Sequence, residues 1–179
     1  MRRVVVAIMG SIGLAAGALS AVEKTWTGSA GDGKFSSANN WSPASALASG
    51  DSLRFANSSA VSAVNDLVGY YYAGITAAGS ATVALANTGN GFTLTGDIAV
   101  TGSKDLSLYV PVTLDANVTL NVSNANFYAY GAITGAGGLT VVGGKDFYAK
   151  DAVALTNGVT VNDGRLRVER LFVEGAGTT

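Results

Sequence analysis

A chain that repeats the same short alternations every twenty or so residues has few folds open to it. Phe92, Val112, Ile133 and Val153 recur at steps of 20, 21 and 20, and Ile98, Val118, Leu139 and Val159 recur at the same steps. Leu106, Phe127 and Phe147 follow at 21 and 20. Sliding the chain along itself until Phe92 falls on Ile133 brings eleven identities into line over 92–121. Among them are Gly96/Gly137, Lys104/Lys145, Asp105/Asp146, Val112/Val153 and Val118/Val159. A fixed period of this length is the mark of a repeat architecture.

Each step holds three apolar/polar alternations, separated by Gly, Asn and Asp clusters. Such alternation reads as short strands joined by turns. Helical periodicity is absent along the mature chain. The reading is all-β: a parallel β-helix, a solenoid of about 20-residue, three-strand rungs. Successive rungs would hydrogen-bond at about 4.8 Å, with like residue over like. The expected inward columns are Phe92-Val112-Ile133-Val153, Ile98-Val118-Leu139-Val159, Val100-Leu120-Val141-Val161 and Leu106-Phe127-Phe147. Burying one such side chain is worth about 1.5–3 kcal/mol, against about 1–2 kcal/mol to order each residue's backbone. A lone rung therefore fails where a stack holds. An antiparallel sandwich or barrel also has short strands and glycine turns, but does not demand the same step in three columns.

Composition removes much chemistry. The 179 residues include no Cys and no His, which excludes disulfides, thiolate nucleophiles, Cys-ligated metals and imidazole bases. No cofactor is expected. The opening MRRVVVAIMGSIGLAAGALSA pairs Arg2 and Arg3 with an apolar run from Val4 to Ala18. This is the layout of a secretory signal peptide, and the run is short of the roughly 20 residues of a membrane span. Cleavage after Ser20 puts Ala18 at the −3 position. The mature chain then carries nine basic and twelve acidic residues, so nucleic acid is not an expected partner. The expected division is 1–20 signal peptide, 21–56 a Trp-containing cap element, 57–90 irregular or degenerate first rungs, and 91–179 β-helix repeats. Leu166/Val168 and Leu171/Val173 carry the alternation onward, and no capping motif follows before Thr179. Either the polypeptide is a piece of a longer one, or something covers the last strand edge.

The cap region reads Thr25-Trp26-Thr27-Gly28, Gly31-Asp32-Gly33, Ala38-Asn39-Asn40-Trp41-Ser42 and Gly50-Asp51-Ser52-Leu53-Arg54-Phe55. Further on stand Ile133-Thr134-Gly135-Ala136-Gly137-Gly138-Leu139-Thr140 and Gly158-Val159-Thr160-Val161-Asn162-Asp163-Gly164-Arg165-Leu166-Arg167-Val168. Together these resemble the opening, repeat core and ending of bacterial autotransporter-associated β-strand repeat proteins. Val142-Gly143-Gly144-Lys145-Asp146-Phe147-Tyr148 departs from that family's usual Lys-x-Gly-x-Gly-x-Leu-x-Leu. The resemblance implies a right-handed β-helical passenger or stalk, with further repeats or a translocator barrel as partners outside this sequence. It implies no enzymatic activity.

Candidate binding residues are aromatic. Trp26 and Trp41 suit either a cap over the first rung or a sugar-stacking site. Tyr128 and Tyr148, one coil apart beside the Phe127/Phe147 column, are expected outward and one above the other, with Tyr109 and Tyr130 nearby. Such a ladder is a candidate polysaccharide platform, or an ordinary cross-rung stack. Hydrolysis of a glycoside needs two carboxylates about 5–9.5 Å apart. The Asp residues here sit in turn-like contexts, and Lys104-Asp105 and Lys145-Asp146 read as solvated corners. The expectation is an exported, non-catalytic structural or adhesive β-helix at the cell surface. The alternative is a polysaccharide-binding or polysaccharide-active β-helix using the tyrosine face.

Overall fold

The computed structural model describes residues 21–86 and 88–169. The expected signal peptide and the Leu171/Val173 alternation lie outside them. The strands are β1 (Glu23–Trp26), β2 (Trp41–Ser42), β3 (Ser52–Phe55), β4 (Val61–Ala63), β5 (Tyr71–Tyr72), β6 (Gly74–Ala77), β7 (Val83–Leu85), β8 (Phe92–Leu94), β9 (Ile98–Val100) and β10 (Leu106–Leu108). They continue with β11 (Val112–Leu114), β12 (Val118–Asn121), β13 (Phe127–Ala129), β14 (Ile133–Gly135), β15 (Leu139–Val142), β16 (Asp146–Ala149), β17 (Val153–Leu155), β18 (Val159–Val161) and β19 (Arg165–Val168).

From β3 onward, every third strand joins the same sheet. One sheet runs β2-β1-β3-β6-β9-β12-β15-β18, a second β4-β7-β10-β13-β16-β19, and a third β5-β8-β11-β14-β17. All pairings among named strands are parallel except β1 with β2. The chain is a three-sided β-solenoid of about six turns. Inward positions alternate with outward ones in the pattern buried–intermediate–buried along most strands, because successive strand side chains point to opposite faces. The inward residues form one continuous core, from Trp26 to Val153.

Two expected columns stack as read. Val112 lies between Phe92 and Ile133, with Val153 next. Phe127 lies between Leu106 and Phe147. The other two differ at one step. Ile98 pairs with Leu120 rather than Val118, and Ala99 pairs with Asn121. Val118, Leu120 and Val141 then meet Leu139, Val141 and Val161 in their own pairings as expected. The slip is by two, so parity survives and Val118, Leu120 and Val122 all still point inward. At this step the Asp97 carboxylate accepts the Thr119 N–H at 2.7 Å, satisfying a donor at the start of β12.

The stretch 57–90 also holds regular strands. Leu53, Ile75 and Ile98 stack in the first sheet, and Val61, Val83 and Leu106 in the second. Their steps are 22 and 23 residues, against the 20 and 21 of the columns read from Phe92 onward, so the alignment of Phe92 on Ile133 does not extend back to them. The surplus goes into corners, leaving strand pairing intact. Rungs pass so closely at those corners that a Cβ on Gly96 would overlap the Ala73 carbonyl oxygen, and one on Gly102 that of Gly79.

The first coil is closed by the Trp region. Trp26 and Trp41 meet edge to face at 4.9 Å, and Phe35 and Phe55 complete the cluster. The Trp41 indole N–H donates to the Phe35 carbonyl at 3.0 Å. Fully buried Asn40 holds the loop: its amide donates to Asp32 Oδ1 and the Lys34 carbonyl, and its Oδ1 accepts the Ala30 N–H. Hydrogen bonds from the Ser37 hydroxyl and then the Lys34 N–H lower the Asp32 pKa to about 2.

Gly96→Ala is expected to cost about 1–3 kcal/mol, since backbone must move to admit the methyl. Leu120→Ala, which empties a fully buried position, is expected to cost about 2–5 kcal/mol. Urea unfolding of the two variants checks both.

Candidate functional site

The second sheet carries an outward face built from two files. The first is Ser107, Tyr128, Tyr148 and Arg167, paired rung to rung. The second lies just past the strand ends. There the N–H groups of Tyr109, Tyr130, Lys150 and Glu169 donate to carbonyls of Leu85, Leu108, Ala129 and Ala149 on the rung before. The repeat predicts these four tyrosines as neighbours, and the structure brings them together.

Their geometry is specific. Tyr128 and Tyr148 stack at 4.6 Å with planes 4° apart, and Tyr109 and Tyr130 at 4.3 Å and 3°. Tyr128 and Tyr130 link the two piles at 6.2 Å and 16°. The spacing is close to that between strands, so the rings pile along the coil axis. Each ring therefore presents a face to its neighbour in the pile. Beyond Tyr148 stand the Arg167 guanidinium, 5.6 Å from the ring centroid, and Lys150 Nζ, 5.8 Å from it. Within each pile one face of each ring is taken up by its partner.

Trp26 and Trp41 lie in the core. They are 5% and 1% exposed, and their rings face the core because they close the first coil.

Asp146 corrects the reading of Lys145-Asp146 as a solvated corner. Its side chain is buried and accepts from Arg165 Nε at 2.8 Å, Arg167 Nε at 3.1 Å and the Tyr148 hydroxyl at 2.9 Å. The bond from Arg165 does most to hold the carboxyl below its ordinary range, against the opposing effect of burial. This hub continues a corner ladder. Asp105 Oδ1 accepts the Asn126 N–H, and Asn126 Oδ1 accepts the Asp146 N–H. The signal in the sequence is the position before each inward Leu106, Phe127 and Phe147, occupied by Asp, Asn and Asp. Beside the ladder lies an open groove of about 520 Å³ lined by Lys104, Asn124, Asn126, Lys145, Tyr148 and Arg165. Among the described residues no three carboxylates gather as a metal site requires.

No family model, curated protein or solved structure matches this chain.

Asp146 gives a signed pH dependence. Its folded pKa is lowered, so its stabilising contribution is present above about pH 4 and lost as pH falls through the folded value. Asp146→Asn is expected to lower stability at neutral pH and to flatten the acid limb of a stability–pH profile measured by urea unfolding. In a double-mutant cycle, Tyr128→Ala and Tyr148→Ala are expected to couple by about 0.5–1.5 kcal/mol.

Proposed function

We propose that this chain is an exported, non-catalytic rod that presents its outer faces outside the cell as a structural or adhesive element. The observation that carries this is the continuous core. Inward side chains fill the coil from the Trp region to Val153, so recognition falls to the outward files and corners. The basic-then-apolar opening supports export. The motif resemblance supports a passenger or stalk role.

A second reading has one observation in its favour. The groove beside Tyr148 offers lysine, arginine and asparagine side chains in one open channel, a set suited to hydrogen-bonding a polysaccharide chain along its edge. It needs no exposed ring face.

Two measurements test these readings. N-terminal sequencing of the protein recovered from outside the cytoplasm is expected to begin at Ala21. Recovery of the chain only from cytosol, starting at Met1, would overturn export. A panel of neutral and acidic polysaccharides is expected to show neither hydrolysis nor specific binding. Specific binding that disappears in Lys104→Ala/Lys145→Ala, which strips the groove of its two lysines, with cooperative unfolding retained, would establish the second reading instead.

A further inference from the structure

We infer that Tyr109 and Tyr130 are a site of oxidative cross-linking, at which a peroxidase with peroxide joins the two rings into a dityrosine between successive coils. The proposal stands on ring geometry and does not depend on the adhesive reading.

Coupling begins when each phenol gives one electron and one proton to the oxidant. The resulting phenoxyl radicals carry spin on the oxygen and on the ring carbons ortho to it. The new carbon–carbon bond forms between π lobes that stand normal to the two ring planes. Rings laid face to face at van der Waals distance therefore meet in the bond-forming orientation. Tyr109 and Tyr130 are held that way, at 4.3 Å and 3°. Each joined ortho carbon then releases its hydrogen as a proton while each ring oxygen regains one, restoring two phenols. One peroxide becomes two waters, and the protein loses two hydrogens.

Access and release single out this pair. Tyr109 and Tyr130 are 38% and 39% exposed and lie one residue beyond β10 and β13. The product must swing out of the stack toward a biphenyl arrangement, and these corner positions leave solvent on one side for it. Tyr128 and Tyr148 stack almost as well but are half-buried. The Tyr148 hydroxyl is tied to Asp146, and Arg167 and Lys150 stand over its ring. Tyr128 lies 6.2 Å from Tyr130, so a radical formed in the inner pile has a short path to the exposed one.

The test is to treat the dilute, folded chain with horseradish-type peroxidase and hydrogen peroxide. The monomer fraction is then analysed by intact mass, dityrosine fluorescence and peptide mapping. The expected result is a monomer lighter by two hydrogens, with one cross-linked peptide joining Tyr109 to Tyr130. Tyr130→Phe keeps the ring but forms no phenoxyl radical, and is expected to reduce both signals to background with unfolding unchanged. Tyr71→Phe, at an exposed tyrosine lying against Gly50, is expected to leave them intact. The proposal is overturned if the monomer yields no dityrosine, if the cross-link persists in Tyr130→Phe, or if peptide mapping places it at Tyr128–Tyr148.

Discussion

Parallel backbone hydrogen bonding between successive coils sets every other property of this molecule. It holds each strand of one turn against its equivalent in the next at the spacing of a β-sheet. Whatever side chain a position carries is then laid over the one a turn earlier. Apolar residues laid on apolar residues make the core, from Leu53 on Ile75 to Phe127 on Phe147. The same rule applied outside the coil produces the tyrosine piles and the Asp105–Asn126–Asp146 ladder.

The constraint is strict in parity and loose in length. A slip by one would turn a whole strand inside out, whereas a slip by two leaves its faces unchanged. The step from β9 to β12 uses that freedom, and the Asp97 carboxylate satisfies the N–H exposed by it. Longer coils near the Trp cap place their surplus residues in corners. Corners in turn demand glycine where backbones nearly touch, as at Gly96 against Ala73. Sequence regularity is thus concentrated in the strands.

Stacking also decides what the outer surface can offer. A tyrosine file whose rings pile along the axis ties adjacent coils together face to face. The proposed rod function and the proposed cross-link at Tyr109 and Tyr130 use the same property, since like groups at sheet spacing are positioned to bind one another. The charged hub at Asp146 works similarly across rungs, drawing Arg165 and Arg167 from the following strand.

The period, the all-β class, the grouping of the four tyrosines and most inward residues are legible directly, because a repeat writes its own spacing into the chain. The rungs before Phe92 are obscured because their longer steps break that spacing while preserving alternation. Ring orientation is not legible either: alternation places Tyr128 outward, but only the neighbouring rungs turn its face along the axis. Asp146 looks like any turn aspartate until the next coil supplies two guanidiniums. The amino-acid order alone determined which residues face in and how often they recur, since both follow from period-two strands and like-on-like burial. Tertiary structure decided the Ile98–Leu120 register, the occupied tyrosine faces and the buried carboxylate, since each depends on contacts between residues about a full turn apart.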